Sequence, residues 1–427
     1  MLNKDGVREL AYLVNVDAIT PMNADRLECA HIGGWHCVVG KDEFKVGEPA
    51  IYFEIDSKLP EVEPFVGMEF LKSKHYKIKS QKIRGEISQG LLVNPNALGW
   101  KIEDGWVIDG KTPLPRTQKV VVDLQGGRHV VEDETRFLTS LMGVTYAVTE
   151  DNARKGSGPD KYKLVAGRHP NIFKKKWARW LMKREWGRKL MFVFFGKKKD
   201  KKTGWPVGKF PGVTKTDQER CENMEWVLND KTPFIRTQKC DGSSGTYILE
   251  RKKFGKFEFY VCSRNVRMID ENQESFYGAH NYYWEVAKKY KIEEKMKDYL
   301  SKHKDVWFVC WQGEVCAPGI QKNPQNLTET HLFCFHMTDS KTGRFDIREA
   351  KKIWDEYGME TVPIDEELYV MPDDFEEFKL TADGKYDASV CEGHKDCARE
   401  GYVYYKSTDP TFSFKNVSRK YLLSRKE

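Results

Sequence analysis

What the chain lacks narrows its class first. Its 427 residues contain no long, charge-free apolar run of the kind that crosses a bilayer, so no membrane span is expected. The opening stretch, "MLNKDGVRELAYLV", lacks the basic-then-apolar order of a signal peptide, and a cytoplasmic location is expected. The ten cysteines are scattered, several inside apolar runs such as "FVCW" and "FCF", which is the usage of small buried hydrophobes rather than of a disulfide framework. "CEGHKDC" supplies only Cys391, His394 and Cys397, without the fourth ligand that a structural zinc site needs. No repeat architecture is present either. "KTPLPRTQK" (Lys111 to Lys119) and "KTPFIRTQK" (Lys231 to Lys239) nearly match, but "VVVDLQ" follows the first and "CDGSSG" the second.

What is present is enough to fold. The chain is 40% apolar and 13% aromatic, with a mean hydropathy of −0.66 and a charged fraction of 32%. Its length predicts two or three domains. Residues 1–110 carry short strand-like runs ("HCVVG", "EPAIYFEID", "QGLLVN") between Gly, Pro and Asp turns, which suits a small OB-type β-barrel, a fold often used to hold nucleic acid. Residues 111–209 read as a linker with a basic amphipathic helix, "IFKKKWARWLMKREWGRKLMFVFF". From Glu150 to Trp205 there are 18 Lys and Arg against 5 Asp and Glu, while the whole chain is only +7. One segment therefore carries the basic character, and a polyanion partner is expected near it. Residues 210–427 alternate strands and helices as an α+β domain. "GTYILERKKFGKFEFYVCSRN" reads as a hairpin about Gly255 and "YYWEVAKKYKIEEKMKDYLSKH" as one amphipathic helix. "VWFVCWQGEVC" and "HLFCFHM" read as buried strands.

The two nonamers part company at their last lysine. Lys239 closes a strand-like run and is followed by Cys240-Asp241-Gly242, whose Asp-Gly turns the chain sharply. A lysine amine is a nucleophile only when deprotonated, so it needs burial together with nearby positive charge or metal. Lys119 has the same left flank without that turn and reads as an ordinary surface lysine. Further candidates follow in order: Arg264 and Asn265 in "CSRN", Glu314 in "WQGEV", Phe335 in "LFCFHM", Glu400 in "EGYVYYK" and Lys415 in "FSFKNVSRKYLL".

This ordered set resembles the covalent nucleotidyltransferases, and among them the ATP-dependent RNA ligases with an N-terminal OB domain. The stretches "ITPMNADRLECAHIGGWHCVVGKDEFKVGEPAIYFEIDSKLP" and "FPGVTKTDQERCENM" resemble that family's N-terminal module and the lead-in to its nucleotide site. The resemblance implies an OB-type barrel followed by an antiparallel-sheet nucleotidyltransferase domain. It implies that Lys239 forms a lysyl-AMP, that Arg264 and Asn265 contact ribose or phosphate, and that Phe335 stacks on adenine. Glu314 would contact ribose or a metal-bound water, Glu400 and Asp241 would hold Mg²⁺ or Mn²⁺ directly or through water, and Lys415 would hold the α-phosphate. Arg220 is a further phosphate candidate. The implied reaction seals a 3′-OH to a 5′-phosphate in RNA, as a nick in a duplex on an RNA or DNA template, and a monomer is expected. Two departures stand out. Gln238 replaces the Glu that many relatives carry before the nucleophile, and Ser413 replaces the first lysine of a K-x-K pattern, whose charge would come from Lys406 or Arg419. A capping guanylyltransferase and a DNA ligase are the rival enzymes. Both place an OB domain after the last motif, where only 12 residues follow Lys415. A non-catalytic RNA-binding protein is the rival of another class.

Overall fold

The computed structural model describes residues 1–3, 8–62, 65–99, short strands between 101 and 132, 137–146, 205–206, 208–264, 266–273, 280–393 and 397–424. The basic helix expected within 111–209, and Asn265, lie outside the described residues.

Alternating burial builds the N-terminal barrel. In the strand Trp35–Gly40, Trp35, Cys37 and Val39 point inward while their neighbours are half-buried. The strand Pro49–Phe53 is buried along its whole length and pairs with Ala11–Asn15 on one side and Leu91–Val93 on the other. A second sheet, Ala18–Pro21 with Leu27–Ile32 and Trp35–Gly40, closes over Tyr12, Tyr52 and Trp35. Leu138 and Val144, from beyond the connecting strands, complete the other half of this core. Lys119 opens a separate hairpin, Lys119–Leu124 with Gly127–Glu132.

The C-terminal domain is two sheets facing one another. One holds six strands, with Ser243–Arg251 at its centre between Phe257–Cys262 and Phe308–Cys316, and with His331–Asp339 beyond. The expected hairpin is present, turning through Phe254 and Gly255. The single helix read from "YYWEVAKKYKIEEKMKDYLSKH" is two, Tyr282–Lys289 and Ile292–Lys302. Lys291 sits between them at φ 50°, a left-handed conformation that no α-helix continues through. These helices and Ile347–Glu356 bury Val286, Met296, Leu300 and Trp354 against Val309 and Trp311 of the sheet. The other sheet orders Glu219–Arg220, Asp409–Val417, Gly401–Lys406 and Phe234–Lys239, antiparallel except for the Glu219–Arg220 pairing.

The barrel docks beside this second sheet. Trp35 Nε1 donates to Asn223 Oδ1 at 2.7 Å, Gly34 N–H donates to the Glu222 carbonyl at 2.8 Å, and Leu422 packs on the barrel core. Eight cysteines are free and buried, as the composition implied, but Cys391 and Cys397 are joined to each other. That pair departs from the reading of all ten as isolated hydrophobes. Among the described residues, no helix is long and apolar enough to cross a membrane.

A buried ion pair anchors the docked region. Lys379 Nζ donates to Glu222 Oε1 at 2.7 Å and to the Val417 carbonyl at 3.1 Å, with both side chains almost fully buried. Burial opposes the Glu222 charge, yet Lys379 and Arg220 outweigh it and hold the carboxyl down at about 2. Lys379→Met leaves that carboxylate uncompensated and should cost about 3–5 kcal/mol in urea unfolding, with Glu222→Gln in the same chain restoring much of the loss. A single-variant loss below about 1 kcal/mol contradicts this reading of the pair.

Candidate active site

The site forms where two strand ends meet. Phe234–Lys239 pairs antiparallel with Gly401–Lys406, so Lys239 lies across from Gly401 and beside Glu400. Lys239 Nζ donates to Glu400 Oε2 at 2.8 Å. A side chain at Gly401 would have no room, because a Cβ there would lie 2.1 Å from the Asn416 carbonyl oxygen. This close approach holds the Glu400 and Lys415 strands together.

The Asp-Gly turn after Lys239 has a structural reason. A Cβ on Gly242 would lie 2.5 Å from the Val315 carbonyl and 2.9 Å from Glu314 Cγ. Only glycine lets the turn settle on the neighbouring strand, where Gly242 N–H donates to Glu314 Oε1 at 3.1 Å. Asp241 is 7% exposed and accepts from the Tyr421 hydroxyl at 2.5 Å. Three carboxylates thus surround one lysine. Burial alone would lower the Lys239 pKa, but Glu400, then Glu314 and Asp241, outweigh it and raise it above the ordinary lysine range. Burial, with Glu400 and Asp241 adding to it, pushes the Glu314 carboxyl up to about 8 against the pull of Lys239.

A cationic patch lies one step along the same sheet. Lys415 pairs across from Val403 and, in parallel, with Arg220. Burial, then Arg220, Arg8 and Lys239, pull the Lys415 pKa down to about 7, with Asp217 opposing. Arg220 is 6% exposed and reaches Asp56 Oδ2 of the barrel at 3.4 Å, while its Nε and Nη1 have no hydrogen-bond partner among the described residues. Buried guanidinium nitrogens without acceptors are costly unless a ligand supplies oxygens, and a nucleotide phosphate has the needed chemistry. Arg264 forms an ion pair with Asp217 and lies 5.9 Å from the Tyr146 ring.

Phe335 is the extra residue at a register irregularity, since Gln312 faces His336 and Gly313 faces Cys334. It is partly buried against a cluster that contains Cys240, Phe333 and Tyr386. Gln238 accepts the Asp387 N–H on its Oε1 at 2.9 Å, so its carbonyl is engaged and its NH₂ is the group left for a base. Lys406 and Arg419 do not fill the position vacated at Ser413. Lys406 pairs with Asp230 at 2.7 Å, and Arg419 pairs with Glu376 at 2.9 Å.

Among the described residues, no three acidic, histidine or cysteine groups converge as a ready-made metal cage. The negative field about Glu314, Glu400 and Asp241 nonetheless fits a divalent cation of the kind that binds through one or two carboxylates and keeps several waters.

Sequence reasoning missed the barrel's share of the site. Arg8 donates to Glu54 Oε2 at 2.8 Å and to Asp56 Oδ2 at 3.1 Å, and Asp56 meets Arg220. The acidic pair in "YFEIDS", inside an otherwise apolar run, was the available signal; Arg8 has none.

Comparison with known proteins bears on the fold. Residues 232–422 match the RNA ligase family model, and residues 10–95 match an OB-fold domain model. The fold is similar to that of a Naegleria gruberi RNA ligase solved with pyrophosphate, at 23% identity and a TM-score of 0.64, over 97% of this chain and 98% of that one. A glutamate-to-alanine variant of that ligase with ATP and manganese matches with the same values. Another of its variants, with AMP and manganese, matches at 22% and 0.63 over the same shares. No curated protein sequence matches.

The field on Lys239 makes a pH prediction. With a raised pKa, the amine stays protonated through the ordinary lysine range, so an amine-reactive reagent should modify it only at higher pH. Glu400→Gln removes the largest opposing charge and should move the onset of modification, read by peptide mass spectrometry, to lower pH. An unchanged or higher onset contradicts the assignment of Glu400 as the dominant partner.

Proposed function

We propose that this chain, which carries an RNA ligase domain behind an N-terminal OB-fold domain, is an ATP-dependent RNA ligase that seals nicks in an RNA strand paired to an RNA or DNA template, through a lysyl-AMP on Lys239. The observation that carries the proposal is one buried lysine among three carboxylates, with Lys415 and Arg220, two of whose guanidinium nitrogens lack partners among the described residues, on the adjoining strands.

In the first step Lys239 Nζ attacks the α-phosphorus of ATP, forming an N–P bond as the bond to pyrophosphate breaks. Lys239 must first lose a proton, which its carboxylate neighbours resist while they stand alone. A divalent cation, Mg²⁺ or Mn²⁺, held by Glu400, Asp241 and Glu314 through water, would supply the positive charge that lowers the lysine pKa and offsets charge at the phosphate. The Naegleria ligase variants solved with ATP or AMP together with manganese support this pairing. Lys415 and Arg220 hold the phosphate oxygens. Lys415, at about 7 without nucleotide, becomes fully charged when a phosphate arrives. Phe335 stacks on the adenine, Gln238 donates to its edge, and Arg264, with Asn265 beside it, contacts ribose or a substrate phosphate.

In the second step AMP passes from Lys239 to a 5′-phosphate RNA end, so the N–P bond breaks as a pyrophosphate linkage forms. In the third, the adjacent 3′-OH attacks that 5′-phosphate, the phosphodiester forms and AMP leaves. The OB-fold domain, docked against the Arg220 strand, suits a partner that reaches both domains, such as a duplex. We place the protein in the cytoplasm, acting as a monomer.

A nicked RNA duplex with one labelled 5′-phosphate strand tests this reading. With ATP and Mg²⁺ or Mn²⁺, wild type should yield the joined strand, while Lys239→Ala or a chelator should abolish it. Joining that survives Lys239→Ala, or that runs on GTP in place of ATP, contradicts the proposal.

A further inference from the structure

Beside the nucleotide site a cleft of about 730 Å³ opens between the Asp409–Val417 strand and the short strand Gly343–Arg344. Ser413 lines it, two residues along the strand from Lys415, but Lys239, Glu314, Glu400 and Lys415 do not. Its polar lining is unbalanced. Arg344 makes only long hydrogen bonds to hydroxyls, Thr338 Oγ1 at 3.3 Å and Thr214 Oγ1 at 3.4 Å, and no carboxylate pairs with it among the described residues. Burial draws its pKa down, the mark of a guanidinium short of compensating charge. Lys215 stands exposed at the mouth.

At the inner wall is His336, 6% exposed, with neither ring nitrogen partnered among the described residues. The ring is fixed edge-on to Phe335 at 5.0 Å and to Tyr405 at 5.5 Å. Burial keeps it neutral by holding its pKa well below the ordinary range, so it has one N–H to give and one lone pair unmet. Two carboxylates also line the cleft, and both are already engaged. Asp217 is paired with Arg264, and Glu219 accepts from Leu2 N–H and, at 2.8 Å, from Asn223 Nδ2. An unpaired guanidinium, an ammonium, an unmet imidazole and several hydroxyls in one cleft suit neither an apolar ligand nor a cation. They suit an anion with several oxygens.

We propose that this cleft is a phosphate-binding site, with Arg344 as its ionic contact, Lys215 at its mouth and His336 as a neutral hydrogen-bonding group. The phosphate has two sources of the same chemistry, free pyrophosphate or the backbone of a bound RNA. A phosphate here lies alongside Phe335 and Lys415 without occupying the place of the nucleotide. The inference stands apart from the ligase reading, because anion binding is measured without ATP.

The test uses the full chain and its variants Arg344→Gln, Arg344→Lys and Lys215→Ala. Pyrophosphate binding is read by calorimetry, and binding to a nicked RNA duplex by its salt dependence. If the source is free pyrophosphate, Arg344→Gln should weaken its binding by about tenfold or more, as loss of a charge-assisted contact does, and Arg344→Lys should recover part of it. If the source is RNA, the slope of log affinity against log salt should fall by about 0.7–0.9 with pyrophosphate binding unchanged. Lys215→Ala, an exposed change that spares folding, should move the same readout more weakly. Wild type that binds neither ligand, or Arg344→Gln and Lys215→Ala that match wild type in both assays, overturns the proposal. Self-labelling of Lys239 with ATP is scored separately. Absent labelling with intact anion binding sinks the ligase reading and leaves the phosphate cleft standing.

Discussion

Everything in the site depends on how one buried positive charge is balanced. Lys239 sits 2.8 Å from Glu400, with Glu314 and Asp241 completing a ring of carboxylates. That field stabilises the ammonium form, which is inert as a nucleophile. The resting protein is therefore held in an unreactive state by the same groups that we propose hold a cation. The reactive amine emerges only when the negative field is neutralised. Glu314, pushed up to about 8 by burial first and then by Glu400 and Asp241, shows the same tension from the acid side.

The cationic half of the site is balanced across a domain boundary. Arg220 and Lys415 lie side by side on neighbouring strands, an arrangement that repulsion would oppose without nearby acids. Asp217 lies on their own domain, and Asp56 reaches over from the barrel. Arg8 in turn pairs with Asp56 and Glu54. The barrel therefore shapes the electrostatics at the Lys415–Arg220 end of the site. Its seating rests on Trp35, Asn223 and the buried Lys379–Glu222 pair.

Much of this was legible in the sequence, for identifiable reasons. Strands with short turns and period-two burial announced themselves, and so did the hairpin at Gly255, because local chemistry determines both. Lys239, Asp241, Glu314, Glu400 and Lys415 were found by their order along the chain, and the fold gathers them at one junction of two sheets. The misses are of two kinds, one local and the other long-range. The break at Lys291 is a backbone conformation that propensity does not foretell, so two helices were read as one. Gly242 serves the approach of two strands, which only the pairing of Ser244 with Glu314 reveals. Asp56 lies 164 residues from its partner Arg220, and Arg8, which pairs with Asp56, has no motif to mark it. The charge missing at Ser413 drew attention to Lys406 and Arg419, yet both are held in ion pairs elsewhere, while Arg344 lines the same cleft as Ser413 without one.

The most direct test of the central claim is to find where AMP becomes attached. Protein incubated with ATP and Mg²⁺ or Mn²⁺, digested under conditions that keep a phosphoramidate intact, should yield one peptide heavier by AMP, with fragmentation placing the adduct on Lys239. Full occupancy at any other residue, or no adduct on a protein that still joins RNA ends, would contradict the account.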